Sequence, residues 1–314
     1  MIRNDLAMLF PGQGSQSLGM LAALSLAHPQ VRATFDEASA AIDLDLWALS
    51  QEGPEAELNR TINTQPALLA AGVAVWRAWM AAGGAEPAAL AGHSLGEYTA
   101  LVCAGSLSLA DGTRLVRERG RLMQEAVPEG VGAMAAVLNA DLDLLTEVCE
   151  LASSTDEPVV PANLNAPGQI VLSGAAAALD RALTLLAERG VKRAIRLPVS
   201  VPSHSPLMRS AAERLGAYLA GVAIQPPRIP VIHNADVSSH GDADAIRAAL
   251  VLQLSAPVRW IETIQKLVAG GAMRALECGP GKVLTGMAKR IAPDLQMQAI
   301  ADPAVLAATL AEMQ

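Results

Sequence analysis

Cysteine, aromatic residues and basic charge are all scarce in this chain. Its three cysteines, Cys103, Cys149 and Cys278, are odd in number and widely scattered. That pattern builds neither a disulfide framework nor a zinc site, so a reducing, cytoplasmic setting is expected. Only four Trp, two Tyr and two Phe occur, and 31 acids outweigh 23 bases for a net charge of −8. Such a chain lacks both the basic footprint and the stacking platforms of a nucleic-acid binder. Long apolar runs are missing too: the stretch 67–76 stops at Arg77, short of the ~20 residues of a spanning helix. Asp5 stands where a signal peptide would begin its apolar segment, so neither a membrane partner nor export is expected.

What is abundant is apolar: 52% of 314 residues, mostly Ala and Leu, enough for one large α/β domain with a smaller one inserted. The run 6–10 reads as a buried strand entering the loop Pro11-Gly12-Gln13-Gly14. Helices are predicted over 29–42, from an N-cap at Thr64 towards Gly83-Gly84, from about Leu95, and from a capping box at Ser108 and Asp111 to about Glu125. A strand at 88–92 alternates with them, and another is expected at 273–277, so a parallel sheet covered by helices is predicted. Between Gly130 and Leu197 the order changes. Strands at 133–138, 158–162, 169–172 and 192–197, with helices at 141–151 and 176–189, give the β-α-β-β-α-β order of a ferredoxin-like unit. The expected division is therefore a hydrolase-like catalytic domain, 1–129 and 198–314, with a small domain, 130–197.

The sharpest local signal is Gly92-His93-Ser94-Leu95-Gly96, a G-x-S-x-G placed where a strand hands over to a helix. Such an elbow exposes the Ser94 hydroxyl above a helix N-terminus, where developing negative charge is stabilised. A serine nucleophile needs a base. Of five histidines, His93 adjoins Ser94 but should point elsewhere, and His28, before Pro29, looks like a surface residue entering a helix. His240 lies in a polar run and His233 ends an apolar one, as a core histidine would. His204, in a loop before a helix with Ser205 as N-cap, is the best placed, without eliminating the others. No acid completes a triad: Asp141, Asp143, Asp156 and Asp180 all fall in the small domain as helix caps and loop charges, and a backbone carbonyl can orient the imidazole instead, as a dyad needs.

On the helix after Ser108, Arg114, Arg117 and Arg121 share one stripe, whereas Arg119 lies with Leu115, Leu122 and Met123 on the apolar face. A guanidinium there either pairs with an internal Asp or Glu, snorkels at the edge of that face, or meets a substrate carboxylate beside the elbow. Gly12-Gln13-Gly14 is not a dinucleotide loop, because Ser17 takes the third glycine position and no compact βαβ unit follows. Its free N–H groups suit a second oxyanion donor instead.

Together these motifs resemble one family. Pro11-Gly12-Gln13-Gly14-Ser15-Gln16, Thr64-Gln65-Pro66-Ala67, Gly92-His93-Ser94-Leu95-Gly96-Glu97, Arg119-Gly120, Val201-Pro202-Ser203-His204 and Gly279-Pro280-Gly281 occur in the order of the malonyl-CoA:acyl carrier protein transacylases, across essentially the whole chain. The resemblance implies Ser94 as nucleophile, His204 as base and then acid, and Arg119 on the malonyl carboxylate. It implies an oxyanion hole from the Gln13 and Leu95 amides, and Gln253 orienting the imidazole through its main-chain carbonyl. Asn163 and Asn165 are carried over as cleft-lining residues. No metal or redox cofactor is implied, and the expected partners are malonyl-CoA and an acidic carrier protein, with the enzyme a monomer. Lys192, Arg193, Lys282, Lys289 and Arg290 are candidates for docking that carrier. The alternatives are a serine thioesterase or esterase on the same fold, or the same transfer in a polyketide or malonate decarboxylase system.

Overall fold

A computed structural model describes residues 2–199 and 201–313. Strands β1 (Ile2–Phe10), β2 (Glu86–Gly92), β7 (Val231–Ile232), β8 (Arg274–Glu277) and β9 (Gln296–Ala299) form a parallel sheet in the order β7-β2-β1-β8-β9. The buried half of β1, Leu6 to Phe10, carries the core, and helices cover both faces of the sheet. The strands β3 (Gly132–Leu138), β4 (Val159–Ala166), β5 (Gln169–Ala175) and β6 (Arg193–Arg196) form a second sheet, antiparallel throughout, in the order β4-β5-β3-β6. With helices Leu142–Ala152 and Ala176–Glu188 this is the ferredoxin-like order and pairing. The chain is thus an α/β fold: a hydrolase-like parallel core with a small ferredoxin-like unit. Among the described residues no helix is long and apolar enough to cross a membrane.

Boundaries differ from expectation at β1, which starts at Ile2 and not at residue 6, at β4, which runs on to Ala166, and at the central helix. The central helix spans Thr61–Ala81, with Pro66 inside it, instead of starting at Thr64. Its first turn is capped from elsewhere: Gln124 Oε1 accepts from the Ile62 amide at 2.8 Å, and the Thr64 hydroxyl turns back to donate to Leu58 O at 2.5 Å. A cap supplied 62 residues away leaves no local signal. The helix is apolar nearly all round, because it is buried between Gln30–Ile42, Leu95–Cys103 and Leu109–Ala126. The expected Ser108 cap forms, its hydroxyl accepting from the Asp111 amide at 3.0 Å and donating to the Asp111 carboxylate at 2.7 Å. The small sheet is tied to the segment before the helix Trp260–Ala269, where Leu164 and Ala162 of β4 exchange backbone hydrogen bonds with Val258 (2.9 and 2.8 Å).

Candidate active site

β2 ends at Gly92 and the helix Leu95–Cys103 begins three residues later, so the chain reverses within the elbow. Ser94 sits at φ 51°, ψ −108°, a strained conformation for a residue with a side chain. A Cβ on Gly92 would lie 1.8 Å from the Gly96 carbonyl carbon, and one on Gly96 only 2.0 Å from Phe10 O. No side chain fits at either place. Asn234, just past β7, holds the turn: its Oδ1 accepts from the Ser94 amide and its Nδ2 donates to Gly92 O, both at 2.7 Å.

His204 reaches this serine from the loop after the small sheet, with φ 60° and its amide bonded to Leu254 O at 3.0 Å. Its Nε2 is 2.7 Å from Ser94 Oγ and its Nδ1 is 2.8 Å from Gln253 O. A carbonyl only accepts, so Nδ1 carries the hydrogen and Nε2 presents a lone pair to the serine hydroxyl. Burial pushes the imidazole pKa down to about 3, reinforced by the nearby Arg119 charge and opposed by the Gln253 carbonyl. It is therefore neutral and able to accept a proton at pH 7. Ser205 flanks the turn Pro206–Met208, but its hydroxyl bonds Pro202 O (2.7 Å) and caps nothing.

Arg119 projects from the helix Leu109–Ala126 and is 1% exposed. Among the described residues no acid pairs with it, and at 1% exposure it does not snorkel. Nη1 donates to Gln65 Oε1 (2.8 Å), and Nη2 to Gln253 Oε1 (3.0 Å) and Ser94 Oγ (3.2 Å), while the Tyr98 ring lies 5.2 Å away. Its partners are neutral amide and hydroxyl oxygens, and among the described residues Nε has none. A buried cation held by neutral groups favours an anion arriving at Ser94. The other arginines behave as surface charges: Arg114 pairs with Asp111, Arg121 with Glu118 and Glu125, and Arg117 donates to Ile42 O.

Gln13, Leu95, Asn163, Arg119, Ser94 and His204 line one cleft of about 120 Å³, narrowed by Met123, Met134, Leu197 and Val201. It opens into a wider space of about 420 Å³ that shares Gln13, Thr61, Val199 and Val201 with it. Asn165 does not line the cleft; it lies behind the elbow, with Oδ1 2.8 Å from His93 Nε2. Asn163 does line it, with a buried Oδ1 that has no partner among the described residues. The other histidines lie away from the Ser94 hydroxyl. His28 closes the helix Ala22–Ala27 and leads through Pro29 into the helix Gln30–Ile42, where its carbonyl accepts from the Val31 amide (3.0 Å), His240 bonds Asp236 (2.7 Å), and His233 is a core residue bonded to Glu97 (2.7 Å).

The docking cations do not form one patch. Lys192 and Arg193 lie at β6, whereas the helix Val283–Ile291, bearing Lys289 and Arg290 and preceded by Lys282, packs on β4 at the opposite edge of the small sheet. Arg290 is occupied in grasping Gln169 Oε1 (2.7 Å) and Pro167 O (2.6 Å). Sequence reasoning missed the roles of Gln65 and Asn234 and the side chain of Gln253. It also gave no role to Glu97, although a lone carboxylate on an otherwise apolar elbow helix is a signal.

An acyl transferase domain family model matches residues 7–307. The malonyl CoA-acyl carrier protein transacylase of Salmonella typhimurium is 51% identical over 306 residues, 98% of this chain and 99% of its own. A crystal structure of malonyl-CoA:acyl carrier protein transacylase from Xanthomonas oryzae pv. oryzae matches with a TM-score of 0.98 at 60% identity, covering 99% of each chain. A malonyl-transacylase solved in complex with a type II PKS acyl-carrier protein matches at 0.96 and 50%, covering 98% of this chain and 99% of its own. With its elbow serine, a histidine held by a backbone carbonyl and an unpaired buried arginine, the chain belongs to the acyl transferase family of the malonyl-CoA:acyl carrier protein transacylases.

Proposed function

We infer that the chain transfers the malonyl group of malonyl-CoA to the phosphopantetheine thiol of acyl carrier protein, supplying fatty acid synthesis, through a malonyl ester on Ser94. The observation that carries this reading is Arg119, a buried cation with no carboxylate of its own, donating to the nucleophile at 3.2 Å. The malonyl carboxylate supplies the missing anion and brings its thioester carbonyl over Ser94 Oγ. His204 Nε2 takes the hydroxyl proton as the Oγ–C bond forms, and the negative charge moves to the carbonyl oxygen. The amides of Leu95 and Gln13 face that oxygen as its donors. Collapse breaks the C–S bond, and the proton on Nε2 passes to the departing CoA sulfur. The carrier thiol then enters by the wider opening, gives its proton to Nε2 and attacks the malonyl ester; Oγ leaves and takes the proton back. Gln253 O holds the Nδ1 hydrogen throughout. Every step uses this chain's own groups. Asn163 is left to contact the substrate from the small-sheet side of the cleft.

In this reading residues 1–129 and 198–314 form the catalytic unit, residues 130–197 close the cleft, and the working unit is a cytoplasmic monomer. Lys282 and Lys289, exposed on one helix face, offer the carrier its basic contact. Intact-protein mass after brief mixing with malonyl-CoA or acetyl-CoA tests the assignment. Wild type should gain a malonyl adduct, far weaker with acetyl-CoA, and Ser94→Ala should gain none. Rapid release of free malonate with no adduct would make the protein a hydrolase instead.

A further inference from the structure

Beneath the elbow lies a carboxylate that the transfer reaction does not use. Glu97 is wholly buried, one turn along the helix that Ser94 opens. It accepts three hydrogen bonds: from His233 Nδ1 (2.7 Å), the Asn234 amide (2.9 Å) and Gln253 Nε2 (2.9 Å). Two of these donors lead back to the site. Asn234 pins the Ser94 amide, and Gln253 carries both the carbonyl behind His204 and the amide oxygen against Arg119.

The Gln253 amide is the decisive link. Its Nε2 faces two groups that only accept, Ser94 O and Glu97 Oε2, both at 2.9 Å. Turned round, it would set its oxygen against those two oxygens and its N–H groups against the Arg119 guanidinium. Glu97 thereby dictates which end of the amide meets Arg119. The arginine is then held by an acceptor that aims it without neutralising it, as a carboxylate in direct contact would.

We propose that Glu97 is a positioning residue for malonyl selectivity: through the Gln253 side chain it keeps Arg119 aimed at Ser94 and open to a substrate carboxylate. This rests on the malonyl-transfer reading above. It assigns Gln253 a second task, separable from its backbone contact with His204.

That separation makes the test. The rate of Ser94 acylation by malonyl-CoA and by acetyl-CoA is measured by quenched mass spectrometry for wild type, Glu97→Gln, Gln253→Met and the double variant. Gln253→Met removes the amide and keeps the carbonyl behind His204. It should lower the malonyl-to-acetyl rate ratio by about tenfold or more, the ratio and not either rate alone being the readout. Glu97→Gln should also lower the ratio in the wild-type background, and lower it no further once Gln253→Met is present. A role in stability alone would reduce both acylation rates in step and leave the ratio unchanged, which would overturn the proposal. A double variant whose ratio falls by the product of the two single effects would equally overturn the relay. Should Glu97→Gln not fold, Glu97→Asp, which keeps the charge on a shorter arm, takes its place in the same cycle, and the same two results would overturn the proposal. A wild type that forms no malonyl adduct would strike the transfer reading itself, whatever the variants do.

Discussion

The two sides of the elbow handle buried charge in opposite ways. Above it, in the cleft, Arg119 stands without a carboxylate, and burial together with that cation holds His204 down to about 3. Below it, Glu97 is present and His233 goes the other way: burial pulls its pKa down, but the charge and hydrogen bond of Glu97, with Asp236 behind, raise it overall. Both histidines are about equally buried, at 2% and 1% exposed. What differs is the sign of the nearest charge. The cleft is kept short of one anion, which a substrate can bring, while the support beneath already has its own.

The contrast breaks most sharply if the cleft loses its cation. Arg119→Leu removes charge-assisted bonds amounting to about 3 kcal/mol towards a carboxylate, so malonyl acylation of Ser94 should fall roughly a hundredfold. Acetyl acylation, which offers no carboxylate, should stay within about threefold. Quenched mass measurements with both donors decide this, and equal losses would remove the carboxylate role of Arg119.

The second effect is on stability, and it has opposite signs on the two sides. His204 has a folded pKa below its unfolded value of about 6.5. Between pH 6.5 and about 3 the unfolded chain therefore binds a proton that the native imidazole refuses, and stability drains away as pH falls. At pH 5 that amounts to about 2 kcal/mol. His204→Asn should thus gain on wild type between pH 8 and pH 5. His233 has a raised folded pKa, so its contribution is complete below about 6.5 and lost as pH climbs through the folded value. Glu97→Gln removes the cause of that rise and should lose ground to wild type over the same descent. Urea unfolding at the two pH values checks both, and shifts of like sign would contradict the contrast.

The same division describes what the sequence alone made legible. Parts whose partners lie close in the chain were readable. The alternating strands of the small sheet, the Ser108 cap and the G-x-S-x-G turn each carry their reason within a few residues. Arg119 was legible because a charge on an apolar helical stripe is conspicuous by itself. The network beneath the elbow was not, since Glu97, His233, Asn234 and Gln253 meet from three separate segments. The start of the central helix at Thr61 failed for the same reason, its cap being Gln124 from another helix. The five docking cations erred in the other direction, grouped by charge although the fold puts them at opposite edges of one sheet.

The smallest effect isolates one cause of the depressed His204 pKa. Burial is the larger cause and the Arg119 charge the second, with the Gln253 carbonyl pulling the other way. In wild type, acetyl acylation should therefore hold level from pH 8 down to pH 5, because no proton reaches Nε2 in that range. Arg119→Leu keeps an apolar side chain over the ring and removes the repulsion together with the bonds to Gln65, Gln253 and Ser94, so the imidazole pKa should rise while staying below its free value of about 6.5. The acid limb of the acetyl profile should move up by the same amount, with the variant's rate at pH 8 within about threefold of wild type. Nuclear magnetic resonance titration of the His204 ring, run beside the acylation profile, reads the shift directly. An unmoved limb would show that burial alone sets this base and that the arginine serves only the substrate. A limb carried up to about 6.5 would mean that the charge, and not the enclosing cleft, keeps the imidazole neutral.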